Sequence, residues 1–169
     1  MVSQLKVNEI IKQSGSSITI GEDGDTVSGP FTNTPAFIAT NNTQTSMSGD
    51  TWTTYIFDAE VVDTNSAFNT STYKFVVPSN QAGKYLFTAD VSWSTAPDGT
   101  LMSIGITKNG TRFVTQQEDL GSTQSLNMSV TGITNCSVGD EIYAELRHAH
   151  SGNTENTGTG QFFSGFKLI

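Results

Sequence analysis

The sequence is poor in charged residues, and poorest in basic ones. Of its 169 residues only 14% are charged, with 8 Lys and Arg against 16 Asp and Glu, giving a formal net charge of −8. Nucleic-acid binding depends largely on Lys and Arg contacts to phosphate, and anionic membrane surfaces attract the same side chains. The composition therefore argues against both kinds of partner.

Cysteine and long apolar runs are also scarce. Cys136 is the only cysteine, so no disulfide can form within the chain, and we interpret it as a small buried apolar residue. No apolar run reaches the length of a membrane span, so we expect no membrane insertion. The N-terminus lacks the charged-then-apolar layout of a signal peptide, which predicts a protein made in a cytoplasm and not exported by the general secretory route.

Thr, Ser, Asn and Gly take the place of the missing residues, and this composition is typical of an all-β protein. The clearest strand has large or apolar side chains at every second position: Tyr85, Phe87, Ala89, Val91 and Trp93. Such alternation predicts one buried and one solvent-facing side. We expect residues 73–77 to pair with this strand as an antiparallel hairpin through the turn at 78–83. Asn109-Gly110 predicts a second hairpin.

Residues 1–34 differ from the remainder, because they contain only very short strand-like runs between Gly and Asp turns. Such fragments cannot bury an apolar face alone, so we expect several copies to wrap around one another or the segment to dock on a partner. The apolar residues that would make this attachment are Leu5, Val7, Ile10, Ile18 and Ile20. Residues 35–169 read as a succession of strands with turns between them, which predicts a sandwich or jelly roll.

The spacing of seven residues can be compared with a known family: Phe57, Asp63, Phe68, Phe75, Gly83, Tyr85 and Phe87. Together with the closing run FFSGFKLI, they resemble the signature of the C1q-like domain, which shares its jelly roll with tumour-necrosis-factor ligands. The 75-to-83 gap is longer than usual, and Ala89 stands where an aromatic residue is expected. The resemblance covers residues 35–169 and implies a ten-stranded jelly roll, a tight homotrimer and binding surfaces on exposed loops.

The N-terminal segment resembles the short attachment segments of tailed-phage structural proteins, notably those of marine and cyanobacterial phages. The two resemblances imply a trimeric virion protein made in the host cytoplasm, either a tail fibre or tip or an appendage on the head of the particle. Its N-terminal segment would contact other virion proteins, and its head would recognise a host-surface glycan or protein. A capsid decoration or cement protein is the alternative within this architecture.

A carbohydrate-active depolymerase is the alternative from another class. No Gly-x-Ser-x-Gly elbow occurs and nothing marks a carboxylate pair, so we predict a protein that is not an enzyme. Trp52, Trp93 and Tyr143 could form a sugar-binding platform, although Trp93 falls on the core side of its strand.

Two groups of residues are candidate sites for assembly. His148 and His150 lie two positions apart on one strand face, and three such pairs on a trimer axis would supply six nitrogens to a divalent or transition metal. The alternative is that both histidines end a strand. No other cofactor is expected. Apolar contacts must hold a trimer of acidic chains together, and Phe162, Phe163 and Phe166 are the candidates for that interface.

Overall fold

In the computed structural model, residues 34–169 are described, and all of their regular structure is β. The strands are β1 Ala36–Thr40, β2 Ser46–Ser48, β3 Thr53–Thr54, β4 Ala59–Asp63, β5 Phe68–Asn69, β6 Lys74–Val76, β7 Gly83–Ala96, β8 Leu101–Lys108, β9 Thr111–Asp119, β10 Gln124–Cys136, β11 Glu141–His148, β12 Thr154–Asn156 and β13 Phe162–Lys167. The predicted all-β fold is confirmed, with 13 strands where ten were expected. Within this described part, no helix is long and apolar enough to cross a membrane. The predicted attachment residues Leu5, Val7, Ile10, Ile18 and Ile20 lie outside the described residues.

Two sheets form the sandwich. One has five strands in the order β10-β7-β13-β1-β4, and the other has the order β5-β6-β11-β8-β9, with β3 also paired to β11. The short strands β2 and β12 pair with each other in a separate small sheet. Consecutive strands pair directly in the hairpins β5/β6 and β8/β9, whereas the connections β4–β5, β6–β7, β7–β8, β9–β10 and β10–β11 cross from one sheet to the other, as in a jelly roll.

Strand β7 supplies the centre of the core, as its alternation predicts. Tyr85, Phe87, Ala89, Val91 and Trp93 are all fully buried. The rings of Tyr85 and Phe87 stack with centroids 5.8 Å apart. Burying each large side chain contributes roughly 1.5–3 kcal/mol, so this strand anchors one sheet against the other.

The hairpin predicted between residues 73–77 and β7 is wrong. Strand β6 pairs with β5 and β11, whereas β7 pairs with β10 and β13, so the two strands belong to different sheets. The intervening loop crosses the sandwich, and the Tyr85 hydroxyl donates to the Gln81 carbonyl at 2.7 Å to hold its end. Short loops carry a chain between sheets as readily as they turn it back, and local sequence does not distinguish the two.

The Asn109-Gly110 hairpin between β8 and β9 is confirmed. Both residues have positive φ, 49° and 81°, which is the conformation a two-residue type I′ turn demands. Cys136 is buried at the end of β10. Burial raises the pKa of its thiol to about 11, so it stays protonated and packs as a small apolar residue.

The two ends of the sandwich differ, and we call them the base and the apex. The base is the end where β1 begins and β13 finishes, and there the Lys167 amide donates to the Pro35 carbonyl at 2.9 Å. The apex is the opposite end, formed by residues 41–45 and 149–161. The head therefore receives the chain at its base and presents the longer polar loops at its apex.

Candidate functional site

His148, the first of the predicted metal ligands, is fully buried at the end of β11. Its Nε2 lies 2.8 Å from the Met47 carbonyl, and its Nδ1 accepts a hydrogen bond from the His150 amide at 3.3 Å. Because Nδ1 accepts, the proton is on Nε2, which donates to Met47. Both ring nitrogens are used inside one chain, so His148 could bind a metal only by giving up one of these bonds and becoming accessible from outside the core.

His150 lies beyond the strand, in the apical loop, where its Nδ1 donates to Glu155 Oε1 at 2.6 Å. Met47 belongs to β2 and Glu155 to β12, so the two histidines fasten the small β2/β12 sheet to the sandwich. Among residues 34–169, no three His, Cys, Asp or Glu side chains are grouped closely enough to hold a metal ion. Within one chain these histidines therefore have a structural role at the apex, and a metal site shared between chains stays a prediction.

The three phenylalanines predicted at a trimer interface separate onto the two faces of β13. Phe163 is fully buried and packs against Phe37 and Phe57, with ring centroids 5.0 and 5.8 Å apart. It has no surface left for a partner, which corrects that prediction for Phe163. Phe162 and Phe166 point outward, and Phe166 is 45% exposed. The double Phe concealed the alternation, because only one of two adjacent strand residues can face the core.

Phe162 and Phe166 belong to what we call the open face, the outer surface of the five-stranded sheet. Its pairing register sets side chains in three rows, namely Ile133, Leu86, Phe166 and Ala36 nearest the base, then Thr131, Thr88, Ser164, Ile38 and Val62, then Ser129, Asp90, Phe162 and Thr40. Exposed apolar side chains are concentrated in the first two rows: Ile133, Phe166, Ile38 and Val62. Contiguous exposed apolar surface of this kind marks an interaction site.

Asp90 is the only charged residue in those three rows. Desolvation by the surrounding sheet already raises the pKa of its carboxyl above the ordinary Asp value. With so little charge on this face, the exposed apolar side chains of the row nearest the base, Ile133 and Phe166, are unfavourably hydrated.

The outer surface of the other sheet has the opposite character, because charged groups cover it in pairs. Arg112 bonds Glu145 at 2.9 Å and lies 4.3 Å from the ring centre of Trp52. Lys74 bonds Glu141 at 2.7 Å and lies 4.8 Å from the ring centre of Tyr143. The hydrogen bond that Lys74 Nζ donates to Glu141 Oε2 raises the pKa of Lys74 and keeps it charged.

This pairing reduces the candidate sugar platform. Each of Trp52 and Tyr143 has a cation over its ring, and Trp93 is fully buried. Trp93 is thus closed to a sugar, Tyr143 is largely buried, and one face of the Trp52 ring is taken by Arg112.

At the apex a buried polar network fixes the loops. The Tyr55 hydroxyl lies 2.8 Å from Gln161 Oε1 and 3.1 Å from Thr157 Oγ1, and it accepts a hydrogen bond from Asn41 Nδ2 at 2.7 Å. Burial raises the pKa of Tyr55, so the hydroxyl keeps the proton that the network uses. The Tyr55 side chain thus reinforces loops at 41–45 and 157–161 that backbone bonds between Asn41 and residues 160–161 already join.

The family model of the C1q domain matches residues 36–168. The chain belongs to the C1q domain family. No curated protein sequence matches it significantly.

Solved structures agree with this C1q-domain fold. The globular domain of zebrafish complement 1qA protein is similar with a TM-score of 0.62 and 18% identity, over 80% of this chain and 98% of that one. Murine APRIL at pH 8.0 is similar with a TM-score of 0.58 and 15% identity, over 80% of this chain and 100% of that one. Identities this low establish the shared fold and nothing finer.

The aromatic residues that carried the resemblance are core residues of this C1q domain. Phe57, Phe75, Tyr85 and Phe87 are each no more than 1% exposed. Sequence reasoning missed Asp90 as a distinctive residue, because it sits among Thr88 and Ser92 on the side of β7 assigned to water. Only the neighbouring strands, which bring Phe162 and Phe166 beside it, reveal that this side is largely apolar.

Proposed function

We propose that the chain is a non-enzymatic virion protein whose C1q-domain heads associate as a homotrimer through the open face. The contrast between the two sheet surfaces supports this proposal most directly. One outer surface carries ion pairs and cation–aromatic contacts, whereas the other exposes Ile38, Val62, Ile133 and Phe166. Chains that each carry a net charge of −8 repel one another, so apolar burial must supply the association energy.

A second copy of the chain is the occupant that best fits the open face. Like-charged copies repel least where their surfaces carry the fewest charges, and the three rows of the open face carry one charged residue, Asp90. Leu168 and Ile169 extend the apolar surface towards the base, since both are exposed and the Leu168 amide bonds the Lys84 carbonyl beside it.

Replacing Phe166 tests the trimer. Phe166→Asp places a charge in the first apolar row and should convert a trimer into monomers in native mass spectrometry and sedimentation. Val138→Asp is the matched control, because Val138 is 51% exposed but lies in the turn between β10 and β11. A wild-type monomer at micromolar concentration would contradict the proposal, as would a Phe166→Asp variant that stays trimeric.

For its place in the particle, we propose a tail fibre or tip with the apex turned to the host surface. The support is the N-terminal resemblance to phage attachment segments, together with the layout of the head. The chain enters at the base, beside the Pro35–Lys167 bond, while the apical loops present Asn, Thr and Ser side chains at the far end. Loops fixed by the Tyr55 network suit a recognition surface, because a rigid surface loses little entropy on binding.

Antibody labelling of intact particles separates the alternatives. Labelling at the tail end, with purified heads competing for host adsorption, is the expected result. Labelling across the capsid instead indicates a decoration or cement protein. Absence from the particle, or depolymerisation of host polysaccharide by the purified chain, contradicts the proposal.

A further inference from the structure

Asp90 occupies an unusual position in the middle of β7, facing outward from the centre of the open face. Ser129 of β10 is opposite on one side, and Phe162 of β13 is opposite on the other. Along its own strand, Thr88 and Ser92 point the same way. The carboxylate therefore has an apolar ring on one side and hydroxyl groups around it.

No charged or titratable group faces Asp90 from the strands beside it. On β10 the outward residues nearest to it are Asn127, Ser129 and Thr131, and on β13 they are Phe162 and Ser164. Lys84 is the nearest charged residue along β7 on this side, six positions away, which is roughly 20 Å along a strand. Glu60 lies on the edge strand β4 and carries the same sign of charge. Asp90 thus has no cation within reach on the described part of its own chain.

We propose that Asp90 makes assembly of the heads depend on pH: closing the open face removes its carboxylate from water without a compensating cation, so the assembled form favours the protonated side chain. This inference rests on the proposed homotrimer. It identifies the residue that limits that trimer's stability near neutral pH.

The geometry supports this through the cost of burying a charge. An unpaired carboxylate transferred into a protein interior takes up a proton rather than remain charged. The same desolvation already raises the pKa of Asp90 in the single chain, and covering the face adds to it.

The sign of the effect follows from linkage. Because assembly raises the pKa of Asp90, the assembled form binds more protons than the separated chains. Its contribution to assembly is fully present below the pKa of the separated chain and is lost as pH rises through the pKa of the assembled form. A rise of one in that pKa changes the association constant by about tenfold for each chain.

Net charge also weakens assembly as pH rises, and the experiment must separate the two effects. Repulsion between charges spread over the exposed surface is screened by salt, with a Debye length of about 3 Å at 1 M. A carboxylate enclosed in an interface is screened much less. High salt should therefore remove the first effect and leave the second.

The test compares the full chain with Asp90→Asn and Asp98→Asn by sedimentation equilibrium from pH 4 to pH 8, at 0.15 and 1 M NaCl. Both variants remove one charge by an isosteric change, but Asp98 is exposed in the turn between β7 and β8. Wild type and Asp98→Asn should dissociate more readily as pH rises, by about tenfold or more, and should do so at both salt concentrations. Asp90→Asn should associate at pH 8 as tightly as wild type does at pH 4.

Three results overturn the inference while leaving the trimer intact. Asp90→Asn could keep the wild-type pH profile, or it could weaken assembly at every pH, which would mean that a neighbour's cation pairs with the carboxylate. Assembly could also respond to added Ca²⁺ and not to protons. A wild-type chain that is monomeric at every pH overturns the proposed trimer, and this inference with it. If association is too tight for sedimentation, the urea midpoint of dissociation gives the same comparison.

Discussion

The ring of Phe87 fills the space above Gly165, where any other residue would carry its Cβ atom. The two residues are paired across β7 and β13, and Phe37 approaches the same position from β1, so that a Cβ there would lie 2.8 Å from its ring. The glycine of the closing Phe-Ser-Gly-Phe run is thus required by close packing of two aromatic side chains.

Gly165→Ala should destabilise the head by about 1–3 kcal/mol, because the core must shift to admit a methyl group. Urea unfolding followed by tryptophan fluorescence measures this, since Trp93 is buried in the same core. Gly121→Ala is the control, because nothing lies within 4 Å of a Cβ at Gly121. Equal midpoints for the two variants would contradict the packing argument.

Tyr55→Phe should cost about 1–3 kcal/mol, because the change leaves the buried Gln161 Oε1 without its hydrogen-bond donor and removes one bond each from Asn41 and Thr157. The loss should be local, so hydrogen exchange at residues 157–161 should accelerate while β7 stays protected. Tyr73→Phe serves as the control, since Tyr73 is only partly buried. Unchanged exchange at the apex would show that the network does not hold the loops.

His148→Leu should release the small β2/β12 sheet, because the Met47 carbonyl and the His150 amide both lose their partner. We expect a cost of about 1–3 kcal/mol and faster hydrogen exchange at residues 46–48 and 154–156. His150→Gln, which alters only the half-exposed contact to Glu155, should cost less. A rise in wild-type melting temperature with Fe²⁺ or Ni²⁺ that His148→Leu abolishes would instead revive the metal site.

Asp140 should stabilise the base in a pH-dependent way. Partial desolvation opposes ionisation of its carboxyl, but the Ser137 amide, Asn109 and Lys108 outweigh it and lower the pKa. Its contribution is therefore present above the unfolded pKa and is lost as pH falls through the folded value. Asp140→Asn should flatten the stability profile below about pH 4, whereas Asp98→Asn should leave it unchanged. Urea midpoints measured from pH 2 to pH 6 check this.

The sequence was sufficient wherever one residue's neighbours along the chain determine its environment. The alternation of Tyr85, Phe87 and Val91 and the Asn109-Gly110 turn both gave correct predictions, because each depends on local geometry. The pairing of β6 with β7 was predicted wrongly. Whether the loop between them forms a hairpin or crosses to the other sheet depends on strands that are distant in sequence.

The apex was the least predictable region for the same reason. Strands β2 and β12 lie in stretches that read as polar loops, and they pair across more than 100 residues of sequence, as the Ser46–Asn156 side-chain bond at a separation of 110 shows. Their stability depends on His148 and Glu155, whose partners cannot be read from spacing. The open face was missed similarly, because its apolar rows draw one residue from each of several strands.

The backbone bond between Pro35 and Lys167 has a consequence for how this head can be combined with other proteins. The first and last strands of the head, β1 and β13, meet at the base, so both of its chain ends can be joined to another protein at one place. Such a domain can be inserted into a surface loop of an unrelated host protein. It can also be circularly permuted, with its present ends joined and new ends made in an apical loop, without changing which strands pair in each sheet. A cargo fused after Ile169 would likewise emerge beside the entry strand, leaving the apex uncovered.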